Sequence, residues 1–473
     1  MLTGNADLAA GTTAPAAKPN GQVAAAVSGA GYMFALQLFS KFVTFFANQL
    51  LLRLVSPAVF GVASIQCELL VSSVLFFARE PARLALLRAP IYDTSSTSAL
   101  RRRIDPTKLG LMINLSWLPL AAGTPLALVL GYYWIHYLPV SELGAGYATA
   151  VQLYALGTLL DLAAEPLVAL IVATTQLKAR AIAEGVALTA SCGTALALTW
   201  LSGGEAGILA FGWARVAFGL GYLCSYAAAV ISRFFCFFLS ASPILTEKNR
   251  HITAYFDPAS LAVAWSFVKQ SVLKHFLTEG DKFVLSLFFT PRDQGIYALV
   301  FNYGSIVARL VFLPLEDAAR LLFSRMAATD YRTTARSLLE LALKFHLTLG
   351  LFAIVFGTQY SAPALVVLAG PQWLVPATDG GVINAYAAWG TAPVALAAYC
   401  WFIPVLGVNG ILEAFVTATA TPTDLHAQGY WLVGGAGVFA ASAWLLYPLG
   451  ATGLVVANAV HLLVRVVWAA RYV

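Results

Sequence analysis

Charged and amide side chains recur inside stretches that are otherwise apolar, and they gather on faces. At about 100° per residue, Gln37, Lys41, Thr44 and Asn48 share one side of the first apolar stretch. Glu68, Ser72, Arg79 and Arg83 do the same on the second, and Asn302, Ser305, Arg309, Glu316 and Arg320 on the eighth. The seventh carries Lys269, Lys274, His275, Glu279, Asp281 and Lys282 on more than one side. A charge inside a membrane span costs roughly 2.5–3.5 kcal/mol on insertion scales, so such residues face a cavity or a partner. A polar cavity with surplus Lys and Arg fits an anionic headgroup, because cations replace the hydration that a diphosphate loses. Lys41, Arg79, Lys269, Lys274, Glu279, Lys282, Arg309 and Glu316 are therefore the expected ligand-binding residues. The competing reading is structural: Glu68, Glu279 and Glu316 neutralise Lys41, Arg309 and Lys282, while Arg79, Arg83 and Arg320 are anchors at the ends of spans.

Other polar positions read differently. Asp161 and Glu165 stand one helical turn apart, as do Asn409 and Glu413. A paired carboxylate could couple transport to protons, but a buried hydrogen-bonding lock is the first reading. His275 and His461 are lone histidines without a second ligand at metal spacing, so packing or pairing is expected and no metal or other cofactor. Five cysteines are scattered without a CxxC pair and read as small packing residues. No GxxxxGK phosphate loop occurs.

The elements that carry these residues follow from composition. Of 473 residues 60% are hydrophobic and 11% charged. Soluble domains carry about 25% charged residues, so this chain belongs in lipid. Twelve spans are expected at roughly 29–52, 57–79, 109–136, 145–174, 179–201, 207–231, 263–289, 295–319, 337–358, 393–419, 430–448 and 451–471. Residues 1–28 read as a disordered cytosolic tail, 29–231 and 263–473 as two six-helix bundles, and 232–262 as a cytosolic linker. Residues 359–392, broken by Pro363, Gly370, Pro371 and Pro376, read as an interfacial loop. Lys and Arg collect in the loops on the side of the amino terminus, including Arg83, Arg88, Arg101, Arg102, Arg103, Lys178, Arg180 and Arg325. The opposite side has only Arg53 and Arg292. This asymmetry places both termini in the cytosol and explains the net charge of +6 without nucleic acid.

The chain also repeats itself. Ser56-Pro57 with Gly61 returns as Thr290-Pro291 with Gly295, and Glu80, Arg83 and Arg88 as Glu316, Arg320 and Arg325. Asp161 and Glu165 correspond to Asn409 and Glu413, and Gly204 and Gly207 to Gly450 and Gly453. Four matches in order indicate two halves of the same orientation, the architecture of transporters that rock two bundles around a cleft. Pro81 and Pro314 fall at matching places and predict paired kinks.

Several segments resemble one family closely. Ser40-Lys41-Phe42-Val43-Thr44-Phe45 with Leu51-Leu52-Arg53, and Leu75-Phe76-Phe77-Ala78-Arg79-Glu80, are similar to the opening of the eukaryotic ER oligosaccharide-lipid flippases needed for N-glycosylation. Lys269-Gln270-Ser271, Leu277-Thr278-Glu279-Gly280-Asp281-Lys282, Asp293-Gln294-Gly295-Ile296-Tyr297 and Val307-Ala308-Arg309-Leu310 resemble its second half, and Asn409-Gly410 with Glu413 its end. The resemblance implies an all-α, polytopic fold of about twelve helices in two pseudo-symmetric bundles, as in the multidrug/oligosaccharidyl-lipid/polysaccharide exporter superfamily. It implies a monomer in the ER membrane, multi-pass among membrane lipids, that moves a dolichyl-diphosphate oligosaccharide lipid, Man(5)GlcNAc(2) diphosphodolichol, to the lumenal leaflet. The alternative is a non-transporting accessory of dolichol-linked oligosaccharide assembly. A membrane glycosyltransferase is disfavoured, since the first lumenal loop is only residues 53–57 and holds no carboxylate.

Overall fold

Two short motifs start the helices on which the fold turns. Ser56 Oγ accepts the Val59 N–H at 3.3 Å, and Pro57 takes the first helical position, where its missing N–H has no intrahelical role. Thr290 Oγ1 accepts the Asp293 N–H at 3.2 Å ahead of Pro291 in the same way. The sequence repeat is thus a repeated helix cap.

The computed structural model describes residues 45–88, 106–138, 143, 146–173, 176–240, 257–328, 332–374 and 391–473. Lys41, the tail 1–28 and most of the first expected span lie outside them, as does much of the linker 232–262. The helices are α1 (45–54), α2 (Pro57–Leu86), α3 (Leu109–Tyr137), α4 (Gly146–Ala173), α5 (Lys178–Leu201) and α6 (Gly207–Ser232). They continue as α7 (Pro258–Phe288), α8 (Pro291–Met326), α9 (Thr334–Leu368), α10 (Ala392–Thr419), α11 (Pro422–Leu445) and α12 (Tyr447–Tyr472). Among the described residues, nine of these are long and apolar enough to cross a membrane: α2 to α6, α8 to α10, and α12. With 31 residues α7 has the length, and 24 residues give it to α11. The chain is a multi-pass, all-helical membrane protein.

In the first half α6 packs against α4 and α5, and in the second α12 packs against α10 and α11. Small residues permit the closest approaches. A Cβ on Gly219 would stand 2.6 Å from the Gly157 carbonyl oxygen, so α4 and α6 touch through their backbones. The halves meet where α2 lies against α7 and α8. There the two repeated glycines face each other. A Cβ on Gly61 would stand 2.2 Å from the Pro291 carbonyl oxygen, and one on Gly295 would stand 1.9 Å from that of Pro57.

Residues 359–368, expected in a loop, are instead the end of α9. Their apolar sequence continues the span through a π-helical segment at Ala353–Gly357, and Pro363 lies inside the helix that follows. Gly370, at φ +101°, then turns the chain into Pro371–Trp373. Trp373 is fully buried against Phe60, with its indole N–H donated to the Leu52 carbonyl at 3.0 Å. Gln372 donates to the same oxygen at 2.8 Å. This turn straps the end of α1 over the α2–α8 contact.

Both predicted proline distortions occur, in different forms. In the first half a break at Arg79 precedes Pro81, and in the second a π-helical segment at Ala308–Phe312 precedes Pro314. Each lets the helix continue without the hydrogen bond that proline cannot donate.

Candidate functional site

Beside the glycine contact the helices part and leave a cavity of about 550 Å³ between the halves. That volume falls within the range of about 300–1,000 Å³ typical of ligand sites. One wall is α2, with Phe60, Ser64 and Glu68. The other is α7 with Thr278, Glu279, Asp281 and Lys282, and α8 with Tyr297, Phe301, Asn302 and Arg309. Asn48 of α1, Tyr154 of α4 and Phe211 of α6 complete it.

Three expected residues meet here. Lys282 lies 2.7 Å from Glu279, one turn away on α7. Arg309 donates to the Asn302 carbonyl at 2.8 Å and to its side-chain oxygen at 3.3 Å. Of the remaining members, the four that are described lie elsewhere. Lys269 and Lys274 are exposed on α7, their ammonium groups 6.0 Å from the Trp265 ring centre and 5.6 Å from that of Phe76. Arg79 lies at the break in α2. Glu316 is buried against Gly410 of α10, away from Arg309. Among the described residues the cavity wall therefore holds Glu68, Glu279 and Asp281 against Lys282 and Arg309. Lys41, also expected at this surface, lies outside the described residues.

The carboxylates of α4 have structural partners. Glu165, with 3% of its side chain exposed, takes Arg83 in a two-pronged bond of 2.9 and 2.6 Å. Asp161, equally buried, holds Arg215 of α6. In the second half Glu413 holds Arg465 of α12, with Asn409 at 3.4 Å. These are locks within each half, as first read. Arg83 reads in the sequence as an anchor, and Arg215 and Arg465 went unnoticed, although an arginine within a span is itself the signal for a buried partner. His275 is also a packing residue: its Nε2 lies 2.9 Å from Ser73 Oγ of α2, among Phe76 and Phe77.

Sequence reasoning missed one network. The Tyr297 hydroxyl donates to Asp281 at 3.0 Å and accepts from the Asn458 amide of α12 at 2.7 Å. It ties α7, α8 and α12 together at the cavity wall. No local pattern joins three positions so distant in the chain.

Residues 25–473 match the Rft protein family. The chain belongs to the Rft family. It is 32% identical, over 96% of its length and 70% of the relative's, to the Man(5)GlcNAc(2)-PP-dolichol translocation protein RFT1 of Yarrowia lipolytica. The protein of the same name from Saccharomyces cerevisiae is 27% identical over 93% of this chain and 81% of its own, and that from Mus musculus 28% over 91% and 78%. Among solved structures, the inward closed conformation of the lipid II flippase MurJ is similar, with a TM-score of 0.56 and 14% identity over 93% of this chain and 87% of that one. An inward-facing multidrug resistance MATE family transporter of the MOP superfamily gives 0.50 and 14% over 91% and 94%. At such identities these structures show the fold alone, which resembles that of MurJ and of the MATE transporter.

The tyrosine network gives a stability test of this Rft-family cavity wall. Tyr297→Phe removes a hydrogen bond to a carboxylate, and about 1.5 kcal/mol of stability is expected to go with it. Asp281→Asn combined with Tyr297→Phe should then cost less than the sum of the two single changes, because they share the bond. Unfolding midpoints in detergent check this, and strictly additive losses would show that the bond contributes nothing.

Proposed function

We propose that this protein moves a dolichyl-diphosphate-linked oligosaccharide from the cytosolic to the lumenal leaflet of the ER membrane for protein N-glycosylation. One observation carries the reading. A polar cavity lies between the halves of a chain that is 32% identical, almost end to end, to a protein named for translocating Man(5)GlcNAc(2)-PP-dolichol. Flipping requires a polar headgroup to cross about 30 Å of hydrocarbon while its lipid tail stays in the bilayer. Polar side chains between two bundles supply a substitute for water along that path, and no bond is made or broken. The protein therefore acts as a translocator and not an enzyme.

The excess of Lys and Arg on one side supports cytosolic termini. With that orientation the Gly61–Gly295 contact and the Trp373 strap close the lumenal end, and the cavity belongs to the state that loads a cytosol-made substrate. Rocking the halves would open this contact and release the headgroup to the lumen. Nothing in this route needs a second copy of the chain.

The test is purified protein in vesicles with defined lipid-linked oligosaccharide. The expected result is transfer of headgroup across the bilayer at a rate that scales with protein content. Protein-free rates in vesicles, together with accumulation of the cytosol-made intermediate in depleted cells, would favour the accessory role. Protease protection should place the 80–108 and 320–336 segments on the cytosolic face.

A further inference from the structure

We infer that the cavity between α2, α7 and α8 is a carbohydrate subsite that holds sugar rings of the headgroup and excludes its diphosphate. The inference rests on the function proposed above and assigns one part of the ligand to one part of the protein. A diphosphate presents only acceptor oxygens and negative charge, so it needs free cations and donors. Among the described residues, the carboxylates of the wall outnumber its cations. Lys282 is held by Glu279 at 2.7 Å, and one guanidinium nitrogen of Arg309 is turned onto Asn302. Against these two stand three carboxylates, and one of them, Glu68, has no hydrogen-bond partner among the described residues. Its side chain is open to the cavity, where it would repel a phosphate.

Sugar hydroxyls fit the same wall. They donate as well as accept, so two neighbouring hydroxyls can both bond one carboxylate. The pyranose ring also has an apolar face, which packs on aromatic side chains. Phe301 offers such a surface: it lines the cavity, stacks on Tyr297 with ring centres 6.0 Å apart and has 47% of its surface uncovered. An unpaired acceptor and an uncovered ring in one cavity are the chemistry of carbohydrate recognition.

The experiment compares two lipids, dolichyl diphosphate bearing Man(5)GlcNAc(2) and dolichyl diphosphate without sugars, on purified protein in nanodiscs. The native chain is expected to bind the glycosylated lipid at least about tenfold more tightly, as one or two hydrogen bonds to a charged group provide. Glu68→Gln keeps the shape of a side chain that has no partner to lose, so the fold should be unaffected. It should weaken the glycosylated lipid by about tenfold and leave the bare lipid unchanged. Equal affinity for both lipids would overturn the subsite and leave the translocation reading standing. Tighter binding of both lipids by Glu68→Gln would also overturn it, because that is the response of a carboxylate facing phosphate. Binding of neither lipid by the native chain would remove the translocation reading and the subsite together.

Discussion

Arg215→Met is expected to lower the stability of the protein by about 3–5 kcal/mol, the usual result of removing one partner of a buried ion pair. Asp161 exposes 3% of its side chain and Arg215 13%, and the second carboxylate oxygen of Asp161 has no hydrogen-bond partner. The substitution leaves a carboxylate buried between α4 and α6 without its bonded counter-ion. Asp161→Leu combined with Arg215→Met should recover most of the loss, since apolar residues of similar volume replace buried ion pairs at little or no penalty. The second half gives an internal comparison. Glu413 and Arg465 expose 34% and 23% of their side chains, so Arg465→Met should cost distinctly less. Unfolding midpoints in detergent measure all three. If Arg215→Met melts like the native chain, or the double substitution is no better than the single, the lock does not hold this half together.

Gly295→Val is expected to cost about 3 kcal/mol, the upper end of the usual range for overpacking. The reason is the neighbour. The new Cβ would stand 1.9 Å from the Pro57 carbonyl oxygen and 2.7 Å from its carbon, and backbone cannot rotate away as a side chain can. Only separation of α2 from α8 relieves the clash, so the loss falls on the state in which this end is closed. An alternating transporter must return to that state in every cycle, and a bias of this size depopulates it roughly a hundredfold. Transport in vesicles should fall accordingly. Gly280→Val is the control, because a Cβ there meets nothing within 4 Å. Native transport and native melting in Gly295→Val would show that the contact is dispensable.

The amino-acid sequence by itself determined the class of protein, the position of most of the described spans and the repeat, because these rest on local signals. Apolar run length marks a span wherever it occurs. Ser56-Pro57 and Thr290-Pro291 cap helices through atoms three residues away, so the repeat was legible before its meaning was. The resemblance was legible in the same way, as runs of adjacent residues. What the tertiary structure alone decided is which charges face the cavity. Arg309 and Glu316 lie on one side of a regular helix, seven residues apart. Between them the π-helical segment Ala308–Phe312 and Pro314 rotate the following turns, so Arg309 meets the cavity while Glu316 meets Gly410 of α10. Likewise the break at Arg79 carries Arg83 to Glu165 and leaves Glu68 at the cavity wall. On α7, Lys269 lies about 140° around the axis from Lys282, and the packing of α2 and α8 selects the side with Lys282 as the inner one. A face can be read from spacing. Which neighbour covers it is fixed only when distant helices pack, and small irregularities in the helix then move a charge from one environment to another.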